Sequence, residues 1–502
     1  MVHVASDRSG ASSAFPGGLV RLEPLPGVAE ARPIDIAEAF LDLPGLALLE
    51  SARPGRNARW TFLTADPVAI LSEPAVGGDP FAVARRLLAR LAPDRPTGHV
   101  GAPDRPPFLG GLVGYLGYEL GGELERLPAP PADDQGLPLL RVALHDWAIA
   151  WDRRTGAAWL AGRALDGDTE RLARRLTRVR ERIRPGRLAG LHRRGPVPED
   201  AGSESVELTF TSSLERRAYE AGVEAIRDRI ARGDIYQANL TRRLVTAFDG
   251  DPWPLYRRLR TGDPSLFSAY LDLGRGAPGH ATASGSDPAR PRAILSASPE
   301  PFLAVDPRGI VTTDPIKGTR PRGRDRDEDR RLARYLLTSA KDRAENVMIV
   351  DVLRNDLGRV CVPGSVRVPR LCRLERTAAV QHLVSTVTGR LAPGRDPFDL
   401  LRAAFPGGSI TGAPKIRAME ILRGLEPTRR GPYTGALGWV GPDGAMATSI
   451  LIRTFVADGS KLSLHVGGGI TYQSDPAAEW DETVAKARGP LSAIGGREVA
   501  RP

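Results

Sequence analysis

The chain has 502 residues, of which 41% are apolar and 26% charged, so it can bury a large core in one to three domains. No apolar run reaches about 18 residues, so no transmembrane helix is expected. The two cysteines, Cys361 and Cys372, do not form a C-x-x-C pair, which argues against a disulfide framework and a cysteine-based zinc site. The N-terminus has no basic segment followed by an apolar one, so we expect a cytoplasmic protein.

The net charge of +10 does not point to nucleic acid. The 70 basic residues are dispersed among 60 acidic ones, and only 6% of the residues are aromatic. A nucleic-acid surface usually concentrates basic residues and interleaves them with aromatic ones. Solvated charged faces are therefore the favoured interpretation, although a positive field could still attract a small dianionic substrate.

The N-terminal part is predicted to mix short strands and helices. Residues 1–30 carry turn residues and are expected to form a poorly ordered tail. Region 31–183 follows, with strands predicted at 47–51, 60–63 and 139–151, and helices at 81–91 and 169–183. Residues 184–205 are rich in proline, glycine and charge, so we interpret them as a linker.

The C-terminal part, residues 206–498, is predicted to hold longer helices. A strand at 206–210 precedes a helix whose start Ser212 and Glu215 mark as a capping box. Residues 274–292 are of low complexity and are interpreted as an exposed hairpin loop. Further helices are predicted at 339–358, 414–424 and 476–489, and strands at 436–440, 448–456 and 462–466. Strands and helices do not alternate regularly, which favours an α+β fold.

Two of these helices each carry a pair of carboxylates on one face. Asp342 and Glu345 are spaced i, i+3, as are Glu479 and Glu482, and Lys486 lies one turn beyond Glu482. Four carboxylates from two helices could hold an octahedral Mg²⁺, some directly and others through water. On spacing alone, solvated faces with local salt bridges are the favoured explanation, and the metal site is the alternative.

Two glycine-rich turns could approach an anion. Residues 406–415 (PGGSITGAPK) lead into a predicted helix, whose free N–H groups and positive dipole end suit a carboxylate or phosphate. Residues 467–470 (GGGI) follow a predicted strand and allow close backbone approach. Neither turn matches a nucleotide-binding loop, and ordinary turns are an alternative explanation.

Lysine is rare in this chain, and one lysine is placed where it could react. Only five basic residues are lysine: Lys317, Lys341, Lys415, Lys461 and Lys486. Lys317 lies between a strand end and a turn rich in proline and glycine. Burial there could remove its proton and make it a nucleophile, which arginine cannot become. An exposed turn lysine is the alternative.

One histidine has a distinctive setting, and one catalytic motif is missing. His382 opens an alternating strand, although a lone histidine is more often structural than catalytic. No G-x-C-x-G surrounds either cysteine, so the chain lacks the nucleophile of a cysteine glutaminase.

Taken in order, these segments resemble the chorismate-utilising enzymes, a family that includes anthranilate synthase component I and aminodeoxychorismate synthase component I. The segments are SPE (298–300), DPIKGTRPRG (314–323), SAKDRAENVMIVDVLRNDLGRV (339–360), QHLVSTVTG (381–389), FPGGSITGAPK (405–415), IRTF (452–455), GGGI (467–470) and EWDET (479–483). ALLESA (47–52) and FLGGLVGYLGYEL (108–120) extend the resemblance into the N-terminal half. It implies an α+β fold of large mixed sheets surrounded by helices, in two interdigitated subdomains, with the chorismate site in region 206–498.

The resemblance also implies a role for each motif. Glu345 and Glu482 correspond to direct Mg²⁺ ligands, supported by Asp342 and Glu479. Substrate-binding positions correspond to Gly408, Ser409, Tyr433, Arg453, Gly467, Gly468, Gly469 and Lys486.

Three further positions correspond to groups that act on chorismate. Glu300 matches a general acid that assists loss of the C4 hydroxyl, His382 an active-site histidine, and Lys317 a nucleophile. Anthranilate synthases resemble P-I/L-A-G-T at this last position, whereas aminodeoxychorismate synthases resemble P-I-K-G-T. Ser409 replaces the threonine that is usual in anthranilate synthases and points the same way.

The implied reaction begins with attack of the lysine on C2 of chorismate, which expels the C4 hydroxyl. Ammonia then adds at C4 and expels the lysine. The product expected is 4-amino-4-deoxychorismate, a precursor of p-aminobenzoate and folate, and anthranilate formation is the alternative. Because the glutaminase motif is missing, a separate glutamine amidotransferase subunit is expected to supply the ammonia.

The ALLESA segment resembles part of a tryptophan-binding site in anthranilate synthases. The implied tryptophan pocket would use Leu48, Glu50, Ser51, Pro264, Phe267 and Ser268.

Overall fold

The fold consists of two large sheets with helices around them. The computed structural model describes residues 18–53, 55, 58–74, 78–93, 105–186, 207–275, 290–377 and 380–500. The described strands are β1 Val20–Pro24, β2 Ala47–Glu50, β3 Trp60–Thr64, β4 Ala69–Leu71, β5 Gly111–Leu116, β6 Leu140–His145, β7 Trp147–Asp152, β8 Ala158–Arg163, β9 Leu208–Ser212, β10 Gln237–Ala247, β11 Phe267–Arg275, β12 Pro291–Ser298, β13 Pro301–Val305, β14 Ile310–Thr313, β15 Ile316–Pro321, β16 Arg367–Arg376, β17 Val380–Arg390, β18 Gly412–Ala413, β19 Ala436–Val440, β20 Met446–Ile450, β21 Thr454–Ala457, β22 Lys461–Ile470 and β23 Gly496–Glu498. The described helices are α1 Pro26–Ala29, α2 Pro33–Ala37, α3 Ala82–Leu88, α4 Gly121–Leu124, α5 Thr169–Arg182, α6 Arg216–Ala231, α7 Pro252–Gly262, α8 Arg326–Thr338, α9 Ala340–Gly358, α10 Pro397–Ala404, α11 Gly408–Thr411, α12 Lys415–Leu425 and α13 Pro476–Ala493, with 3₁₀ turns at Glu38–Phe40 and Tyr118–Leu120.

Both sheets draw strands from both parts of the chain. Among the described residues, the larger sheet has 13 strands in the order β1-β8-β7-β3-β2-β11-β12-β21-β22-β10-β9-β23, with β18 paired to β10. The smaller has ten, in the order β15-β17-β14-β13-β20-β19-β5-β6-β4, with β16 paired to β17. The antiparallel pairs β2–β11 and β5–β19 join the two parts. The fold is therefore α+β with interdigitated halves, as predicted.

The two sheets pack face to face through an apolar layer. Phe62 on β3 of the larger sheet contacts Trp439 on β19 of the smaller, with ring centroids 5.9 Å apart. Phe108 adds a second contact to Trp439 at 5.2 Å. Fully burying one such side chain stabilises the fold by about 1.5–3 kcal/mol. This layer fixes the relative position of the sheets on which the candidate site is built.

Some sequence predictions need correction. Residues 18–30 do not form a poorly ordered tail, because Val20–Pro24 pairs along its length with Ala158–Arg163. The capping box is also wrong: the helix begins at Arg216, and the Ser212 hydroxyl accepts a hydrogen bond from the N–H of Leu214 instead.

The other predicted elements can be compared only where the chain is described. The predicted strand 139–151 is two strands, β6 and β7, and 448–456 is likewise two, β20 and β21. Strands β11 and β12 flank the predicted loop at 274–292 and pair with each other, as a hairpin requires. Most of that loop and most of the predicted linker 184–205 lie outside the described residues.

The helices of the described residues include none that is long and apolar enough to cross a membrane.

One buried arginine connects elements that are distant in sequence. The Arg430 guanidinium donates two hydrogen bonds to Glu426, at 2.8 and 2.7 Å, and its side chain is 1% exposed. It also donates to the carbonyls of Ile410, at 3.0 Å, and Asn239, at 2.6 Å. The Cζ atom of the Arg430 guanidinium lies over the ring of Tyr118, 4.3 Å from the ring centroid. Arg430 lies in the loop before β19, and from there it contacts the N-terminal half, β10 and α11.

Replacing Arg430 by methionine should destabilise the protein by about 3–5 kcal/mol, because the buried carboxylate of Glu426 would lose the cation that neutralises it. The measurement is the free energy of unfolding in urea. Arg180→Met is the control, since Arg180 pairs with Glu23 on the surface and such pairs contribute about 0–1 kcal/mol. The double change Glu426→Gln, Arg430→Met should be milder than Arg430→Met alone. Equal losses for Arg430→Met and Arg180→Met would contradict the assignment.

Candidate active site

A large cavity of about 640 Å³ lies between the edges of the two sheets and helices α9 and α13. The structure brings nearly all of the sequence-predicted site residues to its wall. These are Glu300, Lys317, Asp342, Glu345, His382, Ser409, Tyr433, Arg453, Gly467, Gly468, Gly469, Glu479, Glu482 and Lys486. They come from nine separate segments, so only the folded chain assembles them.

Lys317 projects into this cavity from β15. The pairing of β15 with β17 shifts register between Lys317 and Thr319, and the intervening Gly318 has φ +78°. A Cβ at Gly318 would lie 3.0 Å from Asp342 on α9, so glycine allows the strand to approach that helix. This local bulge aims the lysine toward the cavity.

The environment of Lys317 favours its neutral form. Burial lowers the pKa of the amine, and the neighbouring Lys486 acts in the same direction, whereas Glu345 and Glu300 oppose both. Its Nζ donates a hydrogen bond to the carbonyl of Ser409 at 3.0 Å. Burial of Lys317 was expected from the sequence. Most of the charged groups around it are carboxylates, and Lys486 is the cation that opposes them. An amine with a lowered pKa is a better nucleophile at neutral pH.

Glu300 lies beside Lys317 and is buried in the connection between β12 and β13. Burial raises the pKa of its carboxyl, against the charge of Lys317 and hydrogen bonds from the Ser409 hydroxyl and the Ile316 N–H. Ser409 therefore contacts both groups, Glu300 through its hydroxyl and Lys317 through its carbonyl. A carboxyl with a raised pKa keeps its proton more readily and can act as a general acid.

The two predicted carboxylate pairs face the same cavity from two helices. Asp342 and Glu345 lie in the first turns of α9, which Ser339 caps through the N–H of Asp342 at 3.2 Å. Glu479 and Glu482 lie in the first turns of α13. A Cβ on Gly468 would lie 2.9 Å from Glu479 and 3.7 Å from Glu482, so bare backbone faces this second pair.

Cations and hydroxyls already contact these carboxylates. Lys486 is 2.7 Å from Glu482, Arg320 is 3.3 Å from Asp342, and the Ser474 hydroxyl donates to Glu479 at 2.6 Å. Burial raises the pKa of Glu345 and of Glu479, and the charge of Glu482 adds to both. Burial acts likewise on Glu482, but Lys486 outweighs it and holds the pKa of Glu482 below its usual value.

This donor set fits a magnesium ion in its chemistry. The four carboxylates line one cavity, and the charge of Glu482 helps to raise the pKa of Glu345 and of Glu479. Such a site gains from a divalent cation, and oxygen is the ligand type that Mg²⁺ prefers. Among the described residues, no three such side chains are already gathered at metal-binding distances. The carboxylates share a cavity, and their role as ligands stays a prediction.

His382 contacts the cavity as a neutral imidazole. Burial, together with the charges of Arg53 and Arg453, lowers its pKa to about 4. Its Nδ1 shares a 2.8 Å hydrogen bond with the hydroxyl of Thr319, on the neighbouring strand. Its Nε2 has no hydrogen-bond partner among the described residues. The geometry suits hydrogen bonding to a ligand rather than charge neutralisation.

Another part of the cavity wall can hold an anion. Arg453 lies between β20 and β21, and the buried Tyr433 stacks on His465 with ring centroids 5.0 Å apart. Gly467 and Gly469 on β22 have no side chain to cover their backbone groups. Strand β10 leaves no room for one at Gly467, where a Cβ would lie 2.4 Å from the Leu240 carbonyl. A cation, a phenol and exposed backbone groups are suited to a carboxylate.

Gly408 differs from the other predicted substrate-binding residues, because it does not line the cavity. A Cβ there would lie 2.5 Å from Val352 of α9. The glycine instead allows α11 to pack closely on α9, which places the adjacent Ser409.

Sequence reasoning missed several residues of the cavity wall. They include Asn239, Thr241, Arg320, Lys341 and His465. Asn239 donates to the Ser409 carbonyl at 3.0 Å, and its Oδ1 accepts from Gln237 at 2.9 Å. Gln237, Asn239 and Thr241 alternate along β10, and that polar alternation was the available signal.

A second, smaller cavity of about 170 Å³ lies near the predicted tryptophan pocket. Glu50, Ser51, Phe267 and Ser268 line it, whereas Leu48 and Pro264 do not. Leu48 is fully buried in the hydrophobic core. The Glu50 carboxylate accepts two hydrogen bonds from Arg260, at 2.7 and 2.9 Å, and one from the Tyr256 hydroxyl at 2.7 Å. These bonds occupy the carboxylate, and tryptophan binding stays a prediction.

Comparison with known proteins agrees with this geometry. The sequence matches the family described as chorismate binding enzyme over residues 48–492. Anthranilate synthase component 1 of Streptomyces coelicolor is 41% identical over 461 residues, which cover 90% of this chain and 84% of the relative. Aminodeoxychorismate synthase component 1 of Salmonella typhimurium is 40% identical over 443 residues, which cover 85% of this chain and 88% of the relative.

A solved structure agrees as well. Anthranilate synthase component I from Streptococcus pneumoniae superposes with a TM-score of 0.72 and 30% identity, over 87% of this chain and 93% of that chain. A family match over most of the chain, with relatives at this level of identity and one shared fold, shows that the chain belongs to the chorismate binding enzymes.

Proposed function

We propose that this protein is component I of an aminodeoxychorismate synthase. It converts chorismate and ammonia to 4-amino-4-deoxychorismate, which supplies p-aminobenzoate and folate synthesis. A separate glutamine amidotransferase subunit provides the ammonia, because the sequence has no cysteine glutaminase motif. The names of the component 1 relatives are consistent with a two-component enzyme.

The observation that carries the proposal is the position of Lys317. It lies in the cavity wall, and its amine has a lowered pKa. Ser409 connects it to Glu300, because the Ser409 carbonyl accepts a hydrogen bond from Lys317 and the Ser409 hydroxyl donates one to the carboxyl of Glu300. Nucleophile and acid thus approach the same ligand from neighbouring segments. The neutral amine attacks C2 of chorismate, the two conjugated ring double bonds shift, and the C4 hydroxyl leaves as water with the proton from Glu300. Ammonia then forms the new C–N bond at C4, the ring double bonds shift back, and the bond between C2 and Lys317 breaks, which releases the lysine as a neutral amine. The new C4 ammonium group returns its surplus proton to the carboxylate of Glu300.

The remaining cavity residues bind and orient the substrate. Arg453, Tyr433 and the backbone of 467–469 hold one carboxylate of chorismate, and neutral His382 donates or accepts a hydrogen bond near the ring. Glu345 and Glu482, supported by Asp342 and Glu479, would hold Mg²⁺. Bound Mg²⁺ neutralises the second carboxylate of the substrate.

Anthranilate synthase component I is the second candidate. The Streptomyces coelicolor relative of that name is as similar to this chain as the Salmonella typhimurium relative. That enzyme type aminates C2 and needs no lysine nucleophile at this position. The identity of the amine product therefore separates the two proposals.

The product test uses the isolated chain with chorismate, Mg²⁺ and ammonium, and identifies the amine by mass spectrometry and NMR. We expect 4-amino-4-deoxychorismate, no activity with glutamine alone, and a large loss of this product in Lys317→Ala, with residual flux shifted toward amination at C2. Anthranilate from the wild type, or an unaffected Lys317→Ala enzyme, would refute the proposal. Lys461→Ala is the matched control, because Lys461 begins β22 outside the cavity wall.

The role of Glu300 predicts a change in the pH profile. A general acid must be protonated, so activity falls as the pH rises through its pKa, which burial raises. Glu300→Gln should lower kcat by about 10²-fold or more and remove this basic limb. The acid limb, which reports the loss of the proton from Lys317, should persist. The measurement is kcat against pH for both enzymes, and a basic limb that survives in Glu300→Gln would contradict the role.

The metal assignment predicts that Glu482→Ala loses Mg²⁺-dependent activity without unfolding. Removing this carboxylate weakens the site for the cation. It relieves repulsion from Glu479 and removes a half-exposed ion pair with Lys486, which is worth about 0–1 kcal/mol, so the melting temperature should change little. Activity is titrated against Mg²⁺, and melting is followed by circular dichroism. Full activity of Glu482→Ala in the presence of a chelator would exclude the assignment.

A further inference from the structure

Arg453 is held in an unusual backbone conformation at the edge of the cavity. Its φ is +50°, a left-handed value that an arginine rarely adopts. The carbonyl of Arg453 accepts a hydrogen bond from the N–H of Ala297 at 3.0 Å, which fixes the backbone. Its side chain is 40% exposed and lines the cavity. A long, half-exposed side chain needs a partner to keep one orientation, because it otherwise has considerable rotamer freedom.

Asp263 supplies that partner from another part of the chain. One of its carboxylate oxygens lies 3.7 Å from the Arg453 guanidinium, and the other is buried without a hydrogen-bond partner among the described residues. Asp263 directly follows α7, where its N–H donates to the carbonyl of Leu259 at 2.8 Å. The C-terminal end of a helix disfavours a carboxylate. Burial also raises the pKa of Asp263, which the charges of Arg453 and Arg53 counter.

A second cation makes this carboxylate more important. Arg53, in the segment after β2, has its pKa lowered by burial and by repulsion from Arg453. The two guanidinium groups therefore repel each other, and both interact favourably with Asp263. Without the carboxylate, the half-exposed Arg453 would turn away toward solvent.

The helix that delivers Asp263 is itself fixed. Arg260 of α7 forms a bidentate pair with Glu50, at 2.7 and 2.9 Å, and Tyr256 of the same helix donates to Glu50 at 2.7 Å. At the end of α7, Gly262 packs against Ala493 of α13, where an added Cβ would lie 2.8 Å away. Asp263 is thus presented by a helix that is anchored from its middle to its C-terminal end.

We propose that Asp263 is a positioning residue that holds the Arg453 guanidinium in the cavity for the carboxylate of the substrate. Asp263 itself does not touch the substrate. The inference rests on the proposed function in one respect, namely that Arg453 binds a chorismate carboxylate. It adds a residue from a segment that no sequence motif connects to this site.

The test is Asp263→Asn, which keeps the shape of the side chain and removes its charge. The KM for chorismate should rise about tenfold while kcat changes less than about twofold, because the lost interaction orients a binding group and not a reacting one. The dissociation constant of chorismate, measured by calorimetry with Mg²⁺ and without ammonium, should rise by the same factor. Asp263→Glu, which keeps the charge, should recover most of the affinity.

A matched control lies at the other end of the same helix. Asp251 caps α7 by accepting a hydrogen bond from the N–H of Trp253 at 2.9 Å, and asparagine caps helices about as well as aspartate. Asp251→Asn should therefore leave KM unchanged. Melting temperatures of all variants report whether the fold is intact.

Two results would overturn the inference. The first is a KM for Asp263→Asn equal to that of the wild type. The second is a loss that Asp263→Glu does not recover and that accompanies a lower melting temperature, since that pattern indicates a structural role. The test is independent of which amine isomer forms: if the wild type made anthranilate, the proposed function would fail while the effect of Asp263 on chorismate affinity could still be measured.

Discussion

The buried pair of Arg430 and Glu426 is the interaction on which the active-site wall depends. The guanidinium of Arg430 donates hydrogen bonds to the carbonyl of Ile410, next to Ser409, and to the carbonyl of Asn239 on β10. Glu426 in turn accepts from the backbone and hydroxyl of Thr241, at 3.0 and 2.9 Å. A buried charge is tolerated only when its hydrogen bonds are satisfied. The hydrogen bonds of this ion pair are satisfied only when three segments lie at fixed positions: β10, α11 and the chain from Glu426 to Arg430.

The cavity itself brings together carboxylates and cations in nearly equal measure. Glu300 and Glu482 are the same residue type, yet the pKa of Glu300 is raised and that of Glu482 is lowered. Burial acts on both in the same direction, so the difference comes from the charge and hydrogen bond of Lys486 beside Glu482. Environments that separate the pKa values of similar groups assign them different tasks. Here the separation suits the proposed roles, in which Glu300 donates a proton and Glu482 holds a cation.

The sequence predicted the parts of this site that short spacing determines. Carboxylates at i, i+3 must share a helix face, and both pairs do face the cavity. Long-range contacts were beyond it: Asp263 meets Arg453 across 190 positions, and nothing local marks either as a partner. One local prediction failed for a tertiary reason: the capping box at Ser212 and Glu215 does not form, because Ser212 ends strand β9. Gly408 packs on α9 outside the cavity wall, which its position in a glycine-rich turn did not indicate.

The scarcity of lysine shows why a sequence signal needs a structure to interpret it. Lys415 is as rare as Lys317 and lies in as strong a motif, but its ammonium is 2.9 Å from Asp356 and donates to the carbonyl of Ala404 at 2.8 Å. Deprotonating Lys415 would leave the buried carboxylate of Asp356 without its cation. Lys317 instead hydrogen-bonds to a neutral carbonyl, and its carboxylate neighbours act through space. Losing a proton therefore costs Lys317 no direct ion pair. The hydrogen-bond acceptor therefore distinguishes Lys415, which suits a structural role, from Lys317, which suits the proposed attack on the substrate. The number of lysines in the sequence does not reveal this difference.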